Sequence, residues 1–290
     1  MTEKTHQHHD FEAMVTADVA RALDEDIRDG DLTASLIPAS KTAHARVITR
    51  VAGVLAGREW FERCFTTLDP DSEIFWHASD GDAISAGQQL CEIEGNARAL
   101  LSGERTGLNF LQLLSAVATK TQQYVVAVKG TQAKILDTRK TLPGLRLALK
   151  YAVRAGGGHN HRIGLFDGIL IKENHIMAAG GMHPALVAAR TLVAHHAPRE
   201  TMIEIEVENL AQLHEALACH ATLILLDNFS IADMHEAVRL TAGRAELEAS
   251  GGVTLASVRD IAKTGVDRIS VGALTKDIAA LDLSLRFKIH

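Results

Sequence analysis

From residue 133 to residue 273 the chain repeats one unit: a short run of Ile, Leu and Val, a stretch of helical periodicity, then another such run. The runs read AKILDT, GILIKEN, IEIEVEN, TLILLDN, AELEASGG and DRISVGA, and helices are expected over 144–155, 183–197, 210–219, 231–241 and 254–264. Strands that alternate with helices join in parallel, because a parallel neighbour is reached only through a crossover. Such strands are buried on both faces, which accounts for unalternating runs such as ILI and LILL. Six successive units can form an open sheet or curl into a barrel. In either case the carboxyl ends of the strands share one face, the face that binds ligands.

That face is where the sequence concentrates charge and glycine. AKILDT leads into Arg139 and Lys140, GILI into Lys172 and Glu173, and IEIEV carries Glu206. LILLD ends in Asp227 and Asn228, ELEA in Ser250, Gly251 and Gly252, and RISV in Gly272. Between 139 and 172 the cations Arg139, Lys140, Arg146, Lys150, Arg154, Arg162 and Lys172 stand against Asp167 alone, whereas the whole chain has a net charge of −6. Arg146, Lys150 and Arg154 recur every fourth residue and so share one helix face, expected to be solvated. Arg139, Lys140, Arg162 and Lys172 remain available to an anion, Arg as a planar fork and Lys as a point charge. Glu206 and Asp227 are the carboxylates opposite them, and beside phosphate such a pair suits Mg²⁺. The turns ASGG and SVGA each lie between a strand and a helix, where backbone N–H groups bind phosphate. GGGHNHR (156–162) is expected to be a mobile loop or one whose backbone approaches a neighbour closely. These residues describe a site for two anions, a phosphate and a carboxylate, with Mg²⁺ between them. The sequence has no Ser-His-Asp or Cys-His arrangement and no GxxxxGK[ST] loop, which argues against a triad hydrolase and a P-loop kinase.

The first half reads differently. Helical spacing from Phe11 to Glu25 precedes a run of carboxylates (Asp24, Glu25, Asp26, Asp29, Asp31), expected to be a solvated loop. His6, His8 and His9 fall in what reads as a loose tail. Between about residues 43 and 94, glycine-punctuated segments alternate as strands, with Ile48 the one exception in the first of them and a short helix over 60–68. A long helix is expected over 97–128; Gly103 and Gly107 inside it imply close packing or a break. With 290 residues there is room for two domains, or for a barrel with an added domain. The acidic net charge makes a general nucleic-acid binder improbable. Cys64, Cys91 and Cys219 make no disulfide framework or zinc motif and read as idle thiols. A leader-like or membrane-length apolar run is missing, so a soluble, cytoplasmic chain without membrane or nucleic-acid partners is expected.

The stretch DTRKTLPGLRLALKYAVRAGGGHNHRIGLFDGILIKENHI strongly resembles the signature region of the quinolinate phosphoribosyltransferases. ERTGLNFLQ, EIEVENL, ILLDN, EASGGV and GVDRISVGALTK resemble the same family in order and spacing. The resemblance implies an α/β fold: an N-terminal α/β sandwich domain (1–117) and an open six- or seven-stranded α/β barrel (118–276), with 277–290 packing back on the first. It implies transfer of phosphoribosyl from phosphoribosyl pyrophosphate to quinolinate with decarboxylation, Mg²⁺ as cofactor, and a homodimer. By motif, Arg105 would reach quinolinate in the partner subunit's site, and Arg139, His161, Arg162 and Lys172 would bind its carboxylates. Lys140 would contact the phosphoribosyl donor, Glu206 and Asp227 its ribose hydroxyls and Mg²⁺, and Ser250, Gly251 and Gly252 with Gly272 its 5′-phosphate. Thr138, Val271 and Ala273 complete the implied substrate-binding set; Lys140, Glu206 and Asp227 are the implied catalytic residues, and His159 receives no role. Three other readings stand beside this one: a non-enzymatic phosphoribosyl pyrophosphate-binding sensor, which would keep Glu206 and Asp227 without needing the carboxylate clamp of Arg139 and Arg162, and two enzymes. One is a molybdenum-linked paralogue with a different acceptor; the other is a lyase using Lys172 as a Schiff-base amine, whose surrounding cations would favour the free base.

Overall fold

The structure, a computed structural model, describes residues 3–196 and 201–289. The first half contains α1 (Glu3–Asp26), β1 (Thr42–Thr49), β2 (Gly53–Val54), α2 (Arg58–Leu68), β3 (Glu73–Trp76), β4 (Ala83–Ile84), β5 (Gln89–Asn96) and α3 (Ala97–Ala127). The second contains β6 (Lys134–Leu136), α4 (Arg146–Ala155), β7 (Gly168–Ile171), α5 (Glu173–Ala179), α6 (Met182–His196), β8 (Met202–Val207), α7 (Leu210–Ala218) and β9 (Leu223–Asp227). It continues with α8 (Ile231–Thr241), β10 (Glu246–Ser250), α9 (Val258–Lys263), β11 (Arg268–Ser270), α10 (Ala273–Lys276) and β12 (Leu283–Ile289). Two compact units result: residues 1–120, 142–157 and 277–290 form one, and residues 121–141 and 158–276 the other.

The first unit carries an antiparallel sheet in the order β12-β1-β5-β3 and a small β2-β4 pair. In β1 the alternate residues Ala43, Ala45, Val47 and Thr49 are buried. The register with β5 shifts between Val47 and Ile48, so Ile48, which breaks the sequence alternation, marks an irregularity of pairing. The long helix α3 is unbroken through both its glycines, and packing is the reason they are there. A Cβ on Gly103 would stand 3.0 Å from the Phe65 ring, and one on Gly107 would meet Phe65 at 3.0 Å and Phe61 at 3.2 Å. Helix α2 thus lies against α3 through Phe61 and Phe65, both fully buried. Helix α1 starts at Glu3 rather than at Phe11, so the segment read as a loose tail is helical backbone. The side chains of His6, His8 and His9 lie outside the described residues. In the carboxylate run, Asp31 is more than a solvated acid. It accepts the Thr33 and Ala34 amides and the Ser102 hydroxyl, and these bonds hold its pKa below the ordinary carboxylate value.

Segment 142–157, which linear boundaries place in the barrel, groups with the first unit, and α4 shows why. The Tyr151 ring packs 5.2 Å from Trp60 and 5.3 Å from Phe11, and its hydroxyl donates to Asp80 at 2.6 Å. The face shared by Arg146, Lys150 and Arg154 is not solvated throughout: Lys150 is only 2% exposed, because the helix is covered on that side. Lysine is almost never buried so deeply without compensation of its charge.

The second unit is a six-stranded parallel sheet in the order β6-β11-β10-β9-β8-β7. Around a ring this is chain order with a single break between β6 and β7, which describes an open α/β barrel. The crossover from β6 to β7 is the one whose helix, α4, belongs to the other unit. On its return the chain bridges Leu136 to His159 in parallel, a fragment of a seventh strand on the β6 edge. The run GILIKEN, expected to be all strand, ends at Ile171; Lys172 caps α5, a short helix that periodicity missed. The expected helix 254–264 begins as turns and is α-helical only over Val258–Lys263. Among the described residues no single helix is long and apolar enough to cross a membrane.

The Gly107 packing yields a first prediction. Helix propensity alone favours replacing this glycine by roughly 0.5 kcal/mol, but the branched side chain of Gly107→Val must displace two buried phenyl rings. The clash dominates. A net loss of about 1–3 kcal/mol is expected from overpacking, read as a lowered urea midpoint with little change of slope.

Candidate active site

Because the six strands are parallel, their carboxyl ends open on one face, and a cavity of about 380 Å³ lies there. Thr138, Arg139, Lys140, His161, Arg162, Lys172, Glu206, Asp227 and Ser250, all singled out in the sequence, line it. Leu170, Leu225, Glu248 and Ser270, which were not, form its deeper wall. Leu170 and Lys172, Leu225 and Asp227, and Glu248 and Ser250 are each two residues apart, as the pleat requires of side chains facing one side, whereas Thr138 to Lys140, His161 and Arg162 come from loops.

Several local devices hold the rim. The Thr138 hydroxyl accepts the Lys140 amide at 3.0 Å, and Thr275 donates to the Lys140 carbonyl at 2.8 Å. A Cβ on Gly272 would approach the Lys140 side chain to 3.1 Å, so glycine there makes room for the lysine stem. Val271 is buried, its amide donating to Leu136 across the β11–β6 pair. Gly251 has φ +98°, and a Cβ there would fall 2.1 Å from the Asn228 side-chain oxygen. Only glycine fits on both counts. Gly251, Gly252, Val271, Gly272 and Ala273 frame the cavity at the β10 and β11 ends without lining it. Lys172 is ion-paired with Glu206 on the neighbouring strand. Asp227 accepts from the Asn228 side chain at 3.0 Å.

The loop before β7 brings His161 and Arg162 to the same cavity. Asp137, fully buried, accepts the His161 amide at 2.9 Å and the Asn160 side chain. The Arg162 guanidinium donates to the Gly168 carbonyl at 2.9 Å. Burial, and then the neighbouring Arg139 cation, hold the Arg162 pKa below the ordinary guanidinium value. Two adjacent like charges in a half-buried place favour an incoming anion. Both ring nitrogens of His161 are engaged: Nε2 lies 2.8 Å from Glu204 Oε2 and Nδ1 accepts the Arg162 amide at 2.8 Å. Glu248 Oε1 is 3.6 Å from the same Nε2. Glu204 and Glu248 have completely buried side chains. The sequence reading named His161 but passed over the two acids it meets, Glu204 and Glu248, which lie inside strands.

Arg105 does not line the strand-end cavity. It is exposed on α3 and lines a separate cavity of about 440 Å³ in the first unit, with Asp18, Arg21, Glu25 and Asp26.

With this geometry established, the comparisons with known proteins are decisive. Residues 31–115 match the family model "Quinolinate phosphoribosyl transferase, N-terminal domain", and residues 117–286 match its C-terminal domain. The chain belongs to the quinolinate phosphoribosyltransferase family. It is 43% identical over 261 residues to the probable nicotinate-nucleotide pyrophosphorylase (carboxylating) of Bacillus subtilis, covering 90% of this chain and 89% of that one. It is also 43% identical over 277 residues to the Mycobacterium leprae protein of that name, covering 92% and 95%. Among solved structures, the nicotinate-nucleotide pyrophosphorylase of Francisella tularensis superposes with a TM-score of 0.88 at 45% identity, covering 96% and 97% of the two chains.

Glu248 ties this site to pH. Burial, and next the adjacent Glu204 carboxylate, push its pKa up to about 7, while His161 acts in the opposite direction. Unfolded, the group returns to the ordinary value near 4.3. Below that value both states hold the proton and the group is neutral in its effect. As pH rises from there to about 7 the unfolded chain gives up the proton while the folded chain keeps it, so stability falls across that window and levels off above about 7. Glu248→Gln removes the ionisation, and the urea midpoint of the parent should therefore fall relative to the variant between about pH 4.5 and 7 and run parallel to it above that. A midpoint difference that stays constant over that range contradicts the assignment.

Proposed function

We propose that this chain transfers the phosphoribosyl group of phosphoribosyl pyrophosphate to the ring nitrogen of quinolinate, releasing pyrophosphate and CO2 and leaving nicotinate mononucleotide. The observation that carries this reading is the cation-lined cavity at the carboxyl ends of the parallel sheet, in a chain of the quinolinate phosphoribosyltransferase family. The names of its relatives favour quinolinate over the acceptor of the molybdenum-linked group.

The chemistry fits the residues. Quinolinate is a dianion, and desolvating it unpaired would cost several kcal/mol per charge. Arg139 and Arg162 offer planar forks for its carboxylates, with Lys172 as a further cation. The ring nitrogen forms its bond to the anomeric carbon as the carbon–oxygen bond to pyrophosphate breaks, the electron pair leaving with pyrophosphate. Lys140 neutralises that leaving group, and Glu206 and Asp227 take the ribose hydroxyls and favour positive charge developing on the sugar. The quaternised ring then stabilises the electron pair left when the adjacent carboxylate departs as CO2, and that carbon takes a proton from solvent. No protein nucleophile is required. Glu206 and Asp227 also suit Mg²⁺: they are hard oxygen donors from adjacent strands lining one cavity. Mg²⁺ bound there supplies charge neutralisation to the pyrophosphate oxygens. Ser250, Gly251, Gly252 and Gly272 are assigned to the 5′-phosphate, and the setting is the cytoplasm.

The test is release of labelled CO2 from carboxyl-labelled quinolinate. It should require both phosphoribosyl pyrophosphate and Mg²⁺, and CO2 release independent of the phosphoribosyl donor would refute the reading.

We further assign Arg105 to the site of a partner subunit in a homodimer. The support is the ERTGLNFLQ motif in a chain of this family. Mixing inactive Arg105→Ala with inactive Lys140→Ala subunits places both lesions in one site of a mixed dimer and none in the other. Random re-pairing should restore up to about a quarter of parental activity. No recovery after demonstrated subunit exchange overturns the shared site.

A further inference from the structure

Two carboxylates beneath the cavity have no part in the reaction as proposed. Glu204 on β8 and Glu248 on β10 are completely buried. Each stands two residues before a rim residue, Glu206 and Ser250, so the pleat turns both toward the cavity side one layer deeper. Isolated carboxylates at such depth are costly, and apolar side chains of similar volume would serve stability equally well or better. Their presence calls for a use other than holding the fold together.

What they touch is His161. Its Nδ1 accepts the Arg162 amide at 2.8 Å, so that nitrogen carries no proton. The ring proton therefore sits on Nε2, which donates to Glu204 at 2.8 Å. Glu248 stands behind at 3.6 Å from the same nitrogen. Turning the ring over would place a bare nitrogen against a carboxylate and a proton against the Arg162 N–H, which is unfavourable twice. The pair of acids thus locks the imidazole in one orientation and one tautomer. The locked imidazole in turn fixes the peptide group of Arg162, whose guanidinium lines the cavity beside Arg139.

We propose that Glu204 and Glu248 are positioning residues for quinolinate: through His161 they fix the Arg162 backbone, and with it the direction from which the Arg162 guanidinium meets the substrate's carboxylate. This rests on the quinolinate-binding role given to Arg139 and Arg162 above. It assigns to His161 a supporting place under the clamp, with its ring nitrogens directed into the protein. A misplacement of about 1 Å in such a contact is enough to cost up to roughly a hundredfold, so a residue that never touches substrate can govern its affinity.

Calorimetric titration of quinolinate and of phosphoribosyl pyrophosphate, each alone, tests this with three variants. Glu204→Leu keeps bulk and loses the acceptor; it should weaken quinolinate by about tenfold or more and leave phosphoribosyl pyrophosphate within about twofold. Glu204→Gln retains an acceptor for the Nε2 proton and should hold quinolinate affinity within about threefold of the parent. Glu248→Leu should show the same selective loss in smaller measure. Equal weakening of both ligands, or unchanged quinolinate affinity in Glu204→Leu, overturns the positioning role. If Glu204→Leu does not fold, nitrogen-15 spectra of the His161 ring in the ligand-free parent decide: Nε2–H is expected, and an Nδ1–H tautomer overturns the proposal. A parent that binds no quinolinate refutes the functional reading instead. A parent that binds it while the variants do not discriminate refutes only the role of the two acids.

Discussion

In a sheet whose six strands all run one way, side chains at alternate positions form successive layers inside the curve, and the last layer opens at the carboxyl ends. Everything chemical in this protein follows from that geometry. Thr138, Lys172, Glu206, Asp227 and Ser250 line the cavity, and Leu170, Leu225 and Glu248 line it two residues earlier on their strands. Pairing fixes the strands against one another: Glu206 on β8 and Glu248 on β10 are both register partners of Leu225 on the strand between them. A one-residue slip in any strand would swap rim for outer face and dissolve the site.

Electrostatics then explains why the rim can hold its charge. Burial, and then repulsion from Arg139, hold the Arg162 pKa below the ordinary guanidinium value. That repulsion is a standing preference for an anion, built before any substrate arrives. It is contained by fixed partners: Asp137 anchors the returning loop, Gly168 accepts from the Arg162 guanidinium, and Glu206 holds Lys172. The buried acids therefore belong to the same system as the cations above them. Orientation is their contribution, since their burial opposes stability as pH rises.

The parallel architecture and most of the rim were legible in the sequence because strand ends in an α/β sheet are marked by an abrupt change from apolar to charged or glycine residues. Arg139, Lys140, Lys172, Glu206, Asp227 and Ser250 all stood at such a change. Gly103 and Gly107 were legible as packing sites because helix propensity penalises them without another reason. Three features were hidden for physical causes. Glu204 and Glu248 lie inside strands, where a local pattern cannot tell a buried acid from a solvated one. Lys150 sits on an evenly charged helix face, and its burial has no local sequence mark. Helix α5 follows its strand after a single residue, too soon for a period to develop, and only its cap at Lys172 marks the change.

The break in the ring gives the remaining asymmetry its meaning. β6 and β7 are consecutive in the chain yet unpaired, and the segment between them returns through a glycine-rich turn, bridges Leu136 at His159 and delivers His161 and Arg162. The cations flank this seam: Arg139 and Lys140 follow β6, Arg162 lies in the returning loop, and Lys172 follows β7. Going round the ring from β7, the strand ends next present Glu206 and Asp227, and then the serine and glycines of β10 and β11. Charge is thus sorted around the mouth rather than scattered over it. Under the function proposed above, this order would draw a dianionic acceptor to the seam, a polyol toward the carboxylates of β8 and β9, and a phosphate toward the open backbone of β10 and β11. In a fully paired ring β7 would occupy the β6 edge, and the loop carrying His161 and Arg162 could not bridge there. The unpaired edge is therefore what lets a loop residue, Arg162, face a strand-end residue, Arg139, across a single substrate.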